Sequence, residues 1–423
     1  MWIEAVSRFR GTHLQAPNFA LKLTARKFDR SKYTSVDSKS LALVLDLSSV
    51  KHIINAAEPV TEDSIDAFCE AFCPYGLDKR VIYPTYGLAE HTVFVCSGGE
   101  QRLTVSKHAL EVEGAVKLLA DGSDDSDLTT RLIGCGFPSK QSVDVRIINT
   151  ETYQALSENH VGEIWIRSDS KASGYYKKPF ESKRDFCASI GQAPLMEDDG
   201  KVVHISSGYL RTGDLGFLHR GELFICGRIK DLIIVGGRNY YPQDLEATAE
   251  DSDKRIRPGC SASFTIDPIS GSDEEVALIF ELREVPGTKD IESTCGSIAK
   301  LIKGSIMQEH SLALSHIVML RPRTIPKTTS GKIARAWCRK AFMNNTLNSI
   351  YSTSFNNNQQ DTNGGNRVGH GPRQKAIDSQ TIRSMEKSEI LSRLKADISN
   401  IVSIPAASIS PNSDLATMMD SLS

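Results

Sequence analysis

"GELFICGRIKDLIIVGGRNYYPQDLE", residues 221–246, sets two short apolar runs on either side of a Gly-Arg pair. Runs of that length bounded by glycine read as strands. The same texture extends in both directions: "LALVLDLSS", "KHIINAA", "RVIYPTYG", "VDVRIIN" and "GEIWIRS" lie upstream, and "EVALIFEL" and "SHIVML" downstream, separated by polar and helical segments. The pattern is mixed α/β with several β-rich stretches.

A chain of 423 residues, 40% hydrophobic and 24% charged, has the length for two or three domains and at least one sizeable core. We expect a large α/β block at 1–230, a smaller α+β unit at 231–343, a flexible linker at 344–379 and the start of a helical module at 380–423. The linker reading rests on "NNTLNS", "FNNNQQDTNGGN" and "GHGPRQK", which are polar and nearly without apolar periodicity. In the last segment, Ile390, Leu391, Leu394, Ile398, Ile401 and Val402 share one face of a helix that starts near Ser384 and ends before Pro405. "DGSDDSD", residues 121–127, reads as a solvated acidic loop.

A formal charge of −2 gives no overall basic field, which argues against nucleic acid as the main partner. Neither a secretory-type leader nor an apolar run long enough to span a bilayer is present, and nine cysteines occur without a C-x-x-C pair. These features predict a cytoplasmic protein with reduced thiols and no structural zinc.

Four segments hold residue types suited to chemistry. "YLRTGDLG", residues 209–216, is expected to end an extended run in a tight Thr-Gly-Asp turn, near the turn carrying Arg228. A carboxylate at Asp214 accepts hydrogen bonds from a diol while the Arg228 guanidinium supplies planar donors, the means to grip a ribose; on spacing alone, a surface ion pair is the commoner arrangement. "YPTYGLAEHT", residues 83–92, places Tyr86, Gly87 and Glu90 at a strand-to-loop transition, with an aromatic face for a base and a carboxylate for magnesium. "IPKTTSGKIARAWCRKAF", residues 325–342, holds Lys332 in a turn with backbone donors and the Thr329 and Ser330 hydroxyls. A cation there suits an anionic transition state, although a solvated lysine before a helix would look the same. It is no phosphate-binding P-loop, because Pro326 and Ile333 replace the required Gly and Ser/Thr; "GCGFPS", residues 134–139, lacks the third glycine of a dinucleotide fingerprint and reads as a turn. "DLATMMDSLS", residues 414–423, carries Ser421 after Asp420, a pair more often found as a helix cap.

In this order the segments resemble the adenylate-forming superfamily of acyl-CoA synthetases and peptide-synthetase adenylation domains, and within it the fatty acyl-AMP ligases. The resemblance runs through "VSRFRGTHLQAPNFALKLTARKF", "INAAEPV", "YPTYGLAEHTVFVCSGG", "RLIGCG", "GEIWIRS", "GRIKDLIIVGGRNYYPQDLE" and "IPKTTSGKIARAWCRKAF", roughly residues 3–343. The long stretch 97–133 is similar to the insertion that marks those ligases.

The resemblance implies that a fatty acid is activated by ATP and Mg2+ to an acyl-adenylate and passed to a carrier protein's phosphopantetheine thiol. It implies nucleotide contacts from Ala56, Ala57, Glu58, Tyr86 and Gly87, magnesium at Glu90, ribose at Asp214 and Arg228, a hinge at Lys230, and catalysis by Lys332. The tail resembles the start of an acyl or peptidyl carrier, with 4'-phosphopantetheine attached at Ser421 by a phosphopantetheinyl transferase; Met418 stands where that family has Gly. Ala56 likewise stands where Gly is usual, and no Ser/Thr/Gly-rich phosphate loop precedes "INAAEPV". The expected fold is therefore α/β: the C-terminal part of the large adenylate-forming domain, its small α+β C-terminal subdomain and a partial helical carrier. Two alternatives stand beside the ligase: an acyl-CoA ligase, and a non-catalytic paralogue that binds nucleotide or a partner.

Overall fold

A parallel core comes first along the chain, because its strands are short apolar runs joined by helices. A computed structural model describes residues 2–34, 45–119, 129–193, 208–266, 274–329 and 331–355. Strands β1 (His13–Pro17), β2 (His52–Ala56) and β3 (Ile82–Tyr86) pair in parallel, and β4 (Cys96–Ser97) returns antiparallel to β3. Helices α1 (Trp2–Phe9), α2 (Asn18–Arg26), α3 (Ser31–Thr34) and α4 (Glu62–Phe72) connect or flank them. Ala16, Ile53 and Ile82 point from one face of the sheet into a core with Leu21, Ile65, Phe68 and Phe72 of α2 and α4.

β5 (Arg102–Ser106) and β6 (Thr129–Ile133) form a two-stranded ribbon. Next comes an antiparallel sheet ordered β10-β9-β8-β7, made from β7 (Asp144–Ile148), β8 (Gly162–Arg167), β9 (Leu210–His219) and β10 (Glu222–Arg228), with α5 (Pro179–Phe186) between β8 and β9. The expected Thr-Gly-Asp turn is instead the middle of β9. Cross-strand pairing carries the chain through it, and the register slip against β8 between Glu163 and Trp165 absorbs the extra residues as a bulge, with Gly213 at φ +70°.

The third sheet follows the ribbon of β11 (Ile233–Val235) and β12 (Arg238–Tyr240). Its order is β13-β14-β15-β16, from β13 (Ile256–Ile266), β14 (Glu275–Leu282), β15 (His316–Leu320) and β16 (Ser349–Ser354). Helices α6 (Pro242–Ser252) and α7 (Ile291–His310) contribute to the core on one face, and α8 (Arg335–Met343) packs on the other. "EVALIFEL" is apolar throughout because β14 is covered on both sides: Val276, Leu278 and Phe280 meet α7, while Ala277 and Ile279 meet Cys338 of α8.

β16 corrects the expected linker. Residues 349–354 pair antiparallel with β15, and Ile350, Tyr351 and Phe355 pack on the core shared with α7. The edge position and the surrounding asparagines hide that strand from a periodicity argument. Residues 356–379 of the expected linker, the helix near Ser384 and Ser421 lie outside the described residues. Among the described residues, no helix is long and apolar enough to cross a membrane.

A polar cluster joins the stretch after β5 to the third sheet's helices. Lys107 Nζ lies 2.9 Å from His310 Nδ1 and donates to the Glu309 carbonyl at 3.0 Å. His310 is buried, and an ammonium at Nδ1 makes that nitrogen the acceptor; Nε2–H therefore donates to Thr248 Oγ1 at 2.8 Å, and Thr248 passes its own hydrogen to Glu309 Oε2 at 2.7 Å. Burial, reinforced by the Lys107 and Arg238 charges, pushes His310 down to about 3. On the π-helical turn Ala109–Glu113, Glu111 meets Arg238 of β12 at 2.6 Å.

Candidate active site

Three of the residues singled out in the sequence meet at one carboxylate. β3 ends at Tyr86, β10 ends at Arg228, and the β9–β10 register sets Arg228 directly opposite Asp214. Tyr86 Oη donates to Asp214 Oδ2 at 2.7 Å, and Arg228 Nε lies 3.0 Å from Oδ1. The bulge is fixed from below: Asp214 N donates to Thr212 Oγ1, Thr212 Oγ1 donates to the Ile164 carbonyl, and Gly213 N donates to Glu163. Asp214 is only 5% exposed, whereas Arg228 opens to solvent. Burial pushes the Asp214 carboxyl up against the opposing pull of Arg228 and Tyr86, and burial with the adjoining carboxylate drives the Tyr86 phenol well above its usual range. Each carboxylate oxygen keeps a lone pair beyond these contacts, so the pair can accept from a vicinal diol.

Past β3 the chain makes a single 3₁₀ turn, Ala89–His91, that presents Glu90. Tyr175 Oη donates to Glu90 Oε1 at 3.1 Å, and Ala172 N donates to the Glu90 carbonyl. His91, buried, bridges the Phe94 carbonyl at 2.7 Å and Ser168 Oγ at 2.5 Å; the carbonyl contact assigns the proton to Nδ1. Gly87 is required by space, since a Cβ there would lie 1.6 Å from the Val93 carbonyl oxygen. Thr92 and Val93 both adopt positive φ, 55° and 80°, a costly conformation for β-branched residues.

A second group forms around Glu58. β2 ends at Ala56, Ala57 turns at φ +76°, and the Glu58 carboxylate accepts the Phe19 amide at the start of α2. Burial raises the Glu58 pKa, while that amide and the charges of Lys332, Arg335 and Lys327 oppose the rise. Hydrogen bonds close the Lys332 turn: Thr328 N to the Lys332 carbonyl at 2.8 Å, Gly331 N to the Thr328 carbonyl at 2.9 Å, Lys332 N to Thr328 Oγ1 at 3.2 Å, and Thr328 Oγ1 to the Lys332 carbonyl at 3.3 Å. Thr328, rather than the expected Thr329, supplies the hydroxyl; Thr329 is exposed and Ser330 lies outside the described residues. Gly331, at φ +86°, would bring a Cβ within 3.7 Å of the Phe19 ring, so the turn faces α2.

Lys230 is exposed on the 3₁₀ turn Ile229–Asp231 that leads from β10 to β11. Its neighbour Asp231 is met by Arg335 Nη1 at 3.4 Å, and Arg335 also forks onto Glu246 with both bonds at 2.7 Å. Spacing could not reveal Tyr175, Thr212, Glu246 or Arg335, whose partners lie 48 to 104 residues away. Among the described residues no group of three or more His, Cys, Asp or Glu is arranged to hold a metal by itself.

Known proteins resemble the chain over most of its length. A family profile described as "AMP-binding enzyme" matches residues 1–176, and one described as "Disco-interacting protein 2-like, AMP domain" matches residues 230–352. The chain is 36% identical over 353 residues to a medium-chain-fatty-acid–[acyl-carrier-protein] ligase of Moorena producens, an alignment of 82% of this chain and 54% of that protein. It is 33% identical over 375 residues to a long-chain-fatty-acid–AMP ligase of Mycobacterium marinum, covering 83% of this chain and 57% of the relative. The chain thus spans about half the length of the curated relatives it matches. Among solved structures, a chain from a study of fatty acyl-adenylate ligases of E. coli and L. pneumophila superposes with a TM-score of 0.66 at 28% identity, over 81% of this chain and 55% of that one. A multidomain structure of a keto acid-selecting NRPS module, with adenylation, ketoreductase and pseudo-Asub parts, gives 0.63 at 26% identity, over 81% and 26%.

Proposed function

The chain belongs to the AMP-binding, adenylate-forming enzymes, among their fatty acyl-AMP ligases, and from that membership we propose that the protein activates a fatty acid with ATP and passes the acyl group to a carrier-bound phosphopantetheine thiol. The observation that carries the reading is the buried Asp214 carboxylate, held by Tyr86 and Arg228 and ready to accept the two ribose hydroxyls of a nucleotide.

The remaining roles follow from charge. A fatty carboxylate oxygen attacks the α-phosphorus, the bond to the pyrophosphate oxygen breaks, and pyrophosphate leaves with the electron pair. Two anions must approach for this to happen, and the Lys332 ammonium offsets the repulsion as negative charge gathers at that phosphorus. Glu90, oriented by Tyr175, would hold magnesium beside the phosphate oxygens, a setting that suits an ion needing only one or two protein carboxylates. Ala56, Ala57, Glu58 and Gly87 would shape the base pocket. Lys230 would serve as the hinge that withdraws Lys332 before the thiol attacks the acyl carbonyl and AMP departs. Ser421 would carry phosphopantetheine where a carrier domain is present.

The test uses the full-length protein that contains this chain, with a fatty acid, Mg2+ and ATP, and follows acyl-adenylate by mass spectrometry. Lys332→Ala is expected to slow acyl-adenylate formation by roughly a hundredfold or more while nucleotide still binds by calorimetry. Unchanged formation in that variant would remove Lys332 from the mechanism. Transfer to coenzyme A in preference to a carrier-bound thiol would replace the acceptor.

A further inference from the structure

We infer that Arg335 is a positioning residue for Lys332, clamping the lysine turn to α6 and to the connecting turn Ile229–Asp231. The inference rests on the ligase reading for its consequence, and on geometry for its existence. Arg335 is the first residue of α8, three positions past Lys332, and the backbone between them is already tied down: Lys327 and Ile333 form an isolated β-bridge, and Ala334 N donates to the Pro326 carbonyl at 3.1 Å. The orientation of the Arg335 side chain therefore sets the orientation of the whole turn.

The two arms of the clamp differ. Nε and Nη2 grip Glu246 Oε1 and Oε2, both at 2.7 Å, the paired geometry that a guanidinium offers and an ammonium does not. Glu246 is itself fixed, buried on α6 and accepting the Ser263 amide of β13 at 2.9 Å. The third nitrogen reaches Asp231 at the longer distance of 3.4 Å. α6, β13 and α8 belong to one packed body, so the Glu246 arm travels with Lys332. Asp231 lies at the connection to β10, and its arm alone changes length if that body turns about residues 229–231. A rigid grip on one side and a loose one on the other let the lysine turn keep its shape while its tie to the connection opens.

The test pairs catalysis with a measurement that needs none. In the full-length protein, Arg335→Lys keeps the charge but cannot fork. It is expected to lower kcat for acyl-adenylate formation roughly ten- to a hundredfold with KM for ATP and acid nearly unchanged, and to accelerate hydrogen exchange at the Gly331 and Lys332 amides. Glu246→Gln should give the same pattern, and the double variant should be little worse than either single one. A melting temperature that falls together with both half-reactions, or wild-type exchange in the turn, would overturn the clamp. A wild-type protein that makes no acyl-adenylate would instead sink the ligase reading, while faster exchange in Arg335→Lys would still establish the clamp.

Discussion

Asp214 is held between opposing forces. Burial favours its neutral form, while Arg228 and the Tyr86 hydroxyl favour the anion that a diol needs. Tyr86→Phe removes one hydrogen bond to the anion and nothing else in size, so the Asp214 pKa should rise further and the carboxylate should protonate at higher pH. AMP affinity is expected to fall about tenfold, and its loss on acidification should begin at higher pH than in the wild type; calorimetry across pH 5–8 checks both. Legibility at this scale was partial. Tyr86, Glu90, Asp214, Arg228 and Lys332 stand out by residue type in glycine-bounded segments, and the structure brings Tyr86, Asp214 and Arg228 into direct contact. Their partners did not stand out, because Tyr175 reaches Glu90 across 85 residues and Arg335 reaches Glu246 across 89.

Among elements, glycine misled where strand pairing overruled local preference. Thr212-Gly213-Asp214 has turn composition, yet β9 runs on through it because β10 supplies partners on one side and a bulge against β8 absorbs the excess. The same override produced β16 from an asparagine-rich neighbourhood. A chain ending after Asn345 loses the partly buried Ile350, Tyr351 and Phe355 and is expected to be less stable by about 2–4 kcal/mol than one ending after Asn357, as read by urea unfolding. The link between Lys107 and α7 gives a pH signature. His310 stays neutral in the folded protein down to about 3, whereas the unfolded chain takes up that proton near 6.5. Stability is therefore whole above 6.5 and is lost as pH falls from there toward 3. His310→Gln can accept from Lys107 and donate to Thr248 without titrating. It should remove roughly 2–3 kcal/mol of the stability lost between pH 7 and 4.5, measured by thermal melts across that range.

For the molecule as a whole, the apolar runs made the mixed α/β class legible, since it follows from where short buried strands alternate with helices. The segments before and after the turn at 229–231 are bridged as well as connected: Lys107 and Glu111 hold His310 and Arg238 across it. The two sides also share core, since Tyr241 packs with Leu103, Val105 and Phe217, an economy in which each contact adds to stability. The loop after Glu90 works against that economy. Two consecutive β-branched residues at positive φ, with the Val93 side chain largely in solvent, are an expense that burial of the loop does not return. Relaxing them would make a hardier protein with a displaced Glu90, so this loop is where selection for heat tolerance and selection for turnover would pull the sequence in opposite directions.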